Sequence, residues 1–245
     1  MSLPLRYRDL TLLPFSKEKT LVIACDSSAS IGEKIHDAVR IDPSITAAFC
    51  LRVPLLELLC FGAKPICIVD LIGNEYAPTG EKILAGIKGE MEKAGLGELP
   101  VNGSTEENMP TATTSVGITV IAEVPSDKVL PKFEEDCCLL QLGRPYVANE
   151  VVKNLATIFS YDLVRQLRNE PAVVDLLPVG SKGIRYEAQL MVQDSSYTVT
   201  FITEEDLDRS AGPATVLLAA VKMRETAELL ARYPALKKIG EIKRR

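Results

Sequence analysis

Between Ser44 and Ile72 the apolar residues change their period from that of a helix to that of a buried strand, with only Gly62-Ala63-Lys64 between. Ala47, Ala48, Leu51, Leu55, Leu58 and Leu59 recur at helical spacing behind Ser44, an N-cap candidate, and Pro54 inside the segment predicts a kink. Pro65-Ile-Cys-Ile-Val-Asp70-Leu-Ile is then almost wholly apolar, as in a strand covered on both faces. A helix handing over this abruptly to such a strand belongs to a layered α/β fold. Asp70 stands alone among those apolar residues and needs a reason, because burying an unpaired carboxylate is costly.

The same grammar recurs along the chain. Leu21-Val-Ile-Ala-Cys25 reads as a strand ending at Asp26, with a Ser-rich loop behind it. Thr79 reads as the N-cap of a second helix through Ile83, Ile87 and Met91, ending near Gly95. Asn102 to Asn108 reads as an acidic loop, and Val116 to Val124 as another strand. The polar, proline-bearing stretch from Pro125 to Glu135 sets a boundary between two domains, 1–125 and 136–245. Beyond it the patterns predict strands over 137–142, 172–177, 197–202 and 214–221, and helices over 148–167, 184–192 and 224–232. The fold class expected is α/β, with α+β mixed sheets in two domains. The stripe Val151, Leu155, Ile158, Phe159 and Leu163 reads as core and is given no chemistry.

Composition narrows the function classes. The chain of 245 residues is 47% hydrophobic and 25% charged, as in packed globular proteins. Net charge is −5 and the basic residues are scattered except for Lys243-Arg244-Arg245, which reads as a solvated tail, so no nucleic-acid partner is expected. No signal-like segment opens the chain and no stretch approaches the ~20 apolar residues of a spanning helix, so the expectation is a cytoplasmic protein without a membrane partner. The six cysteines include no C-x-x-C pair and read as reduced core thiols, Cys25 among them. A single histidine, His36, excludes a His-rich metal site and reads as an uninvolved surface imidazole.

The sequence has neither a G-x-x-x-x-G-K-[ST] loop, nor a G-x-G-x-x-G turn between strand and helix, nor a nucleophile elbow. What it has is acidic residues at predicted strand ends: Asp26, Asp70 and Glu106-Glu107. Carboxylates gathered in a fold repel one another and require neutralisation, which Mg²⁺ supplies while leaving positions open for substrate phosphates. Gly32-Glu33-Lys34 offers a turn and an ammonium for a phosphate, although spacing alone reads it first as a surface loop with a solvated lysine. Gly180-Ser-Lys-Gly183 reads equally as an anion cradle at a helix start and as a tight turn.

In their order these segments resemble a known superfamily. Gly62-Ala63-Lys64-Pro65 followed by Asp70 resembles the G-A-x-P-x-x-x-x-x-D segment of aminoimidazole ribonucleotide synthetases and their relatives, which include thiamine-phosphate kinase, selenophosphate synthetase and a hydrogenase maturation protein. Asn102-Gly103-Ser104-Thr105-Glu106-Glu107 with Met109-Pro110 is similar to that superfamily's G-G-E-T-A-E-M-P loop. Gly143 with the segment to Asn149 stands where the family has its glycine and Ser-rich turn; Gly180-Ser-Lys-Gly183-Ile resembles its G-G-G-L turn, and Ile239-Gly-Glu-Ile242 its closing I-G-E-V. The colinear set covers nearly the whole chain.

The resemblance implies two α/β domains, a homodimer joined through the amino-terminal sheets, and ATP bound with Mg²⁺ by the amino-terminal domain. By carry-over Asp26, Glu57, Asp70 and Glu107 are the metal candidates, and Lys34 is the catalytic candidate that meets phosphate. Asp26, Gly32, Lys34, Gly103, Ser104 and Thr105 are the nucleotide-binding candidates. The chain departs from the family where Leu56-Glu57 replaces an Asn-Asp pair, where the loop from Asp26 to Lys34 is longer by three residues, and where Ser104 replaces an acidic residue. It lacks the early reactive cysteine of selenophosphate synthetase, the terminal cysteine of the hydrogenase maturation protein and the G-D-D-A opening of thiamine-phosphate kinase. The Gly-Ser-Thr-Glu-Glu-Asn loop is most similar to the α-ribazole kinase branch. That branch implies ATP-dependent phosphorylation of the riboside hydroxyl of α-ribazole in cobamide lower-ligand salvage. The alternatives are another ATP-dependent member, such as a cyclo-ligase on an amidine ribonucleotide, and a non-catalytic nucleotide-binding relative.

Overall fold

The computed structural model describes residues 4–193 and 195–245. They divide into two compact units, Met1–Lys128 with Ala148–Lys153, and Val129–Val147 with Asn154–Arg245.

The first unit is built on β1 (Arg6–Tyr7), β2 (Leu10–Pro14), β3 (Lys19–Ala29), the short pair β4 (Ile31–Gly32) and β5 (Val39–Arg40), α1 (Pro43–Phe61) and β6 (Lys64–Ile72). A π-helical turn at Tyr76–Gly80, α2 (Glu81–Lys93), β7 (Val101–Thr105) and β8 (Ser115–Pro125) complete it. Six strands form one sheet in the order β1-β2-β3-β8-β6-β7. It is mixed: β6 runs antiparallel to β8 and parallel to β7. Alternation buries one set of side chains, including Thr20, Val22, Ala24, Ile68, Ile72, Val116, Ile118 and Val120. α1 lies against β3 and β8 and packs on α2.

β6 departs from the expected cover on both faces. Cys67, Val69 and Leu71 alternate with the buried Ile68, Asp70 and Ile72 and point to the other side of the sheet. Leu71 is 60% exposed there. Cys25 is on that outer set too and is exposed, so it is not the core thiol expected.

α1 is capped by Asp42 rather than Ser44. The Asp42 carboxylate accepts from the Ser44 N–H at 2.8 Å, Pro43 opens the helix, and Gly62 closes it in the left-handed region at φ 80. Asp42→Ala is expected to cost about 1 kcal/mol in denaturant unfolding at neutral pH. The Ser44 hydrogen bonds hold the Asp42 carboxyl below its ordinary value. Its contribution is therefore full above the unfolded pKa and lost as pH falls through the lowered one, where wild type and variant converge. The helix runs unbroken through Pro54. By length and composition it is apolar enough to cross a membrane, contrary to expectation, yet 67% of that window is buried. A core helix that is apolar on most sides meets the same criterion.

Three boundaries move. β3 does not end at Asp26 but continues to Ala29, because Asp26 to Ala29 pair with Ile118 to Ser115. Asn102 to Thr105, expected as loop, belongs to β7 and pairs in parallel with β6. Thr79 does not cap α2; it lies in the π-helical turn, and its hydroxyl donates to Glu75 at 2.5 Å.

The chain continues with β9 (Cys137–Gly143), α3 (Asn149–Lys153), α4 (Tyr161–Asn169), β10 (Val173–Pro178), α5 (Gly183–Met191), β11 (Tyr197–Phe201), β12 (Val216–Lys222), α6 (Thr226–Arg232) and β13 (Leu236–Arg244). The second unit's five strands are ordered β10-β12-β9-β13-β11, all antiparallel. Leu139, Leu177, Leu218, Ile184, Ala188 and Met191 share its core. The long helix expected from Ala148 is broken, because Ser160 accepts from the Leu163 N–H at 3.2 Å and starts α4 afresh. Lys243, Arg244 and Arg245 are exposed as expected, but they end a strand rather than a tail: β13 runs to Arg244, with Leu236, Ile239 and Ile242 buried and Lys243 paired with Glu241 at 2.6 Å.

Candidate functional site

Sheet register brings two predicted acidic residues into one row. Asp26 of β3 and Asp70 of β6 both pair with Ile118 of β8, one from each side, and Asp70 pairs onward with Gly103 of β7. Residues in register share a face, so both carboxylates lie on the helix side, two strand spacings or about 10 Å apart at Cα. Asp70 is 3% exposed and Asp26 half-buried. Burial raises both carboxyls above their ordinary pKa, opposed by the Ser27 amide at Asp26 and by its own amide at Asp70. Among the described residues no Lys or Arg offsets either charge. The Cys50 thiol of α1 meets the Asp26 carbonyl at 3.5 Å, and burial together with the Asp26 charge pushes that thiol up to about 12, leaving it inert.

Gly103 is required by this row. A Cβ there would stand 2.3 Å from the Asp70 carboxyl carbon and 2.3 Å from the Asp70 carbonyl oxygen. Only the bare backbone of β7 admits the Asp70 side chain.

Beyond the strand ends, three loops are stitched together. Asp37 accepts from the Thr114 N–H and hydroxyl and from the Lys34 N–H, each at 2.7 Å. Gly32 lies so close to Thr114 that an added Cβ would stand 2.0 Å from its hydroxyl. Asn74, fully buried, donates to the Thr111 hydroxyl at 2.7 Å and to the Thr113 carbonyl at 2.8 Å, and accepts from the Ser115 N–H at 2.8 Å. Lys34 forms an ion pair with Glu75. Burial alone would raise the Glu75 carboxyl, but the hydrogen bonds from Lys34 and Thr79 hold it at about 2. Asp37, Asn74, Glu75 and Thr114 are absent from the sequence-derived set. Their only local signal is that Asn74 and Glu75 directly follow the strand that carries Asp70.

On the other side of the same strand ends is a cleft of about 430 Å³ lined in part by Ser27, Leu71, Gly73, Ser104, Thr105 and Gly117. Ser104 pairs with Leu71 and so opens onto the face opposite the carboxylate row, while Thr105 pairs with Ile72 at the strand end. Hydroxyls and glycine backbone of this kind suit a polar, anionic ligand.

The structure does not bring all four predicted metal ligands together. Glu57 is on α1, two helical turns or about 10 Å beyond Cys50, which marks the level of Asp26. Glu107 braces the loops instead, accepting from the Tyr76 N–H at 2.7 Å and the Thr105 hydroxyl at 2.9 Å. Among the described residues no three His, Cys, Asp or Glu side chains form a group that holds a metal. One buried and one half-buried carboxylate without a counter-charge nevertheless fit Mg²⁺, which takes one or two protein oxygens and completes its shell with water and phosphate. In the second unit, the Gly180 turn spends its polar groups internally: the Gly180 carbonyl accepts from the Gly183 and Ala211 N–H groups, and the Arg185 N–H of α5 donates to the Leu207 carbonyl at 3.0 Å.

Residues 7–124 match the family described as AIR synthase related protein, N-terminal domain. No curated protein sequence matches the chain. Among solved structures, T. maritima PurL complexed with ATP has a TM-score of 0.66 at 12% identity, over 96% of this chain and 42% of that one. The Aquifex aeolicus thiamine monophosphate kinase ThiL, complexed with AMPPCP and TMP, has a TM-score of 0.65 at 12% identity, over 97% of this chain and 85% of that one. A HypE–HypF complex has a TM-score of 0.62 at 14% identity, over 97% of this chain and 87% of the matched one. The chain thus spans well under half of the PurL length. Its mixed-sheet fold is AIR synthase-like.

Proposed function

We propose that this protein is an ATP-dependent phosphotransferase that phosphorylates a nucleoside-like hydroxyl, with α-ribazole the first substrate to try. The observation that carries the proposal is the uncompensated Asp26 and Asp70 pair in one sheet row, with Lys34 tied through Glu75 to the loop that follows the Asp70 strand. The fold's occurrence in structures complexed with ATP or AMPPCP supports it. So does the kinase ThiL, whose match spans most of both chains.

In this reading Asp26 and Asp70 hold Mg²⁺, while Glu57 and Glu107 lie outside that pair. The bound ion supplies neutralisation of phosphate charge. Lys34 donates to phosphate oxygens, and Gly32, Gly103, Ser104 and Thr105 line the approach of the nucleotide. The substrate oxygen forms a bond to the γ-phosphorus, the bond from that phosphorus to the ADP oxygen breaks with its electron pair going to ADP, and the hydroxyl gives up its proton to solvent water. Positioning and charge stabilisation supply most of the acceleration in such transfers.

A homodimer through the amino-terminal sheets accompanies this reading. The sheet face away from the helices leaves Leu13 41% and Leu71 60% exposed, with Leu21, Ile23, Val69 and Ile121 half-buried beside them. A second copy on that face would cover these apolar side chains.

Incubating the protein with ATP, Mg²⁺ and α-ribazole, followed by mass spectrometry, tests the proposal. ADP and a phosphorylated riboside in equal amounts are expected. ADP with free phosphate formed only when an amidine ribonucleotide replaces the riboside would transfer the assignment to cyclo-ligase chemistry, and ATP binding without turnover across a nucleoside panel would favour a non-catalytic relative.

A further inference from the structure

Lys34 is fixed at both ends. Its N–H is held by Asp37, which in turn grips Thr114, and the His36 N–H closes the same loop on the Ala112 carbonyl at 2.9 Å. Its ammonium is held by Glu75, on the loop that follows β6. Glu75 is itself held, because its second carboxylate oxygen accepts from the Thr79 hydroxyl. The neighbouring Glu33 does not compete for the ammonium: it pairs with Lys82 of α2. Lysine has a long, entropically costly side chain, and here its rotamer is chosen before any ligand arrives.

The pair is largely shielded, with the Lys34 and Glu75 side chains 20% and 29% exposed, so it fixes the direction of the ammonium as well as joining two loops. An ammonium carries three donors. Glu75 takes one, leaving two for other oxygens, and the Lys34 side chain remains 20% exposed. The negative charge of Glu75 is at the same time spent on Lys34 and Thr79, so it does not stand free to repel an incoming phosphate.

We infer that Glu75 is the positioning residue of the nucleotide site, holding Lys34 in the rotamer that meets the phosphates, with Thr79 as its own support. This rests on the ATP-binding reading given above. Acting through Lys34, Glu75 contributes preorganisation: the ordering of one long side chain is completed before binding, which amounts to as much as about tenfold in affinity.

Isothermal titration calorimetry of ATP and of adenosine, both with Mg²⁺, tests this on wild type, Glu75→Gln, Lys34→Ala and the double variant. Glu75→Gln is expected to weaken ATP about tenfold and to leave adenosine unchanged. In the Lys34→Ala background the same substitution should have no further effect on ATP, because the residue it acts through is gone. Thr79→Val should reproduce a smaller loss, and Thr79→Ser should restore it. Equal ATP affinity in wild type and Glu75→Gln, tighter ATP binding in the variant, or an equal loss with and without Lys34 would overturn the inference while leaving the ATP-binding reading standing. Loss of ATP and adenosine together would identify a merely structural role and overturn it as well. A wild type that binds no ATP would instead remove the reading on which the inference rests.

Discussion

Asp26→Asn and Asp70→Asn are each expected to lower ATP turnover by roughly a hundredfold to a thousandfold, the range seen when one preorganised electrostatic contact to a phosphoryl or oxyanion charge is removed. They are also expected to make the ligand-free protein more stable at neutral pH, which is what separates loss of function from loss of fold. Burial raises both carboxyls above their ordinary range. For a carboxyl raised in the folded state, the folded chain binds the proton more tightly than the unfolded chain does. Ligand-free stability therefore falls as pH rises from the unfolded pKa, ~3.9 for Asp, through the raised folded value, and above that value the whole penalty is in place. An amide at either position has no such penalty. Mg²⁺ relieves it in the wild type only. Melting temperatures between pH 4 and 8 should thus show wild type gaining from MgCl₂ at the upper end and neither variant gaining. A variant that keeps wild-type turnover, or keeps the Mg²⁺ response, removes its aspartate from the site.

Asp70 was legible in the sequence because a carboxylate inside an apolar strand has few innocent explanations, and the structure buries it as the pattern implies. Asp26 was legible as a residue but not in its setting. Ser27-Ser28-Ala29 carry no strand preference of their own, and they extend β3 because β8 pairs with them across the sheet. The same holds for β13, whose Lys243-Arg244 read as part of a tail until its pairing with β9 and β11 is known. Long-range pairing overrides local preference in such strands. The loop braces were the least legible. Asn74 and Ser115 are 41 residues apart in sequence, and Asp37 and Thr114 are 77 apart. A polar residue in a loop has no period by which to be found, so its partner is visible only in three dimensions. Glu57 and Glu107 illustrate the converse: a carried-over motif names residue types, whereas helix position and a nearby N–H decide where the carboxylate ends up.

Gly103→Ala should damage both the fold of the first unit and the carboxylate row. The added carbon would stand 2.3 Å from the Asp70 carboxyl carbon, from one carboxylate oxygen and from the Asp70 carbonyl oxygen. The carboxylate can turn away, but the carbonyl belongs to β6 and is held by the parallel pairing of β6 with β7. Relief therefore requires β7 to slide or lift, which disturbs Ser104 and Thr105 behind it. Overpacking of this severity costs about 3 kcal/mol or more, equivalent to a fall of roughly 6–12 °C in melting temperature for a chain of this size. ATP affinity should fall with it, because Asp70 loses its orientation and the cleft lining moves. Asp70→Ala combined with Gly103→Ala separates the two contributions. Removing the carboxylate takes away the side-chain clash and leaves the backbone one, so the double variant should recover only part of the lost stability. Full recovery would place the strain in the carboxylate alone, and a Gly103→Ala protein that melts with the wild type would mean that β7 does not pair with β6 in this register.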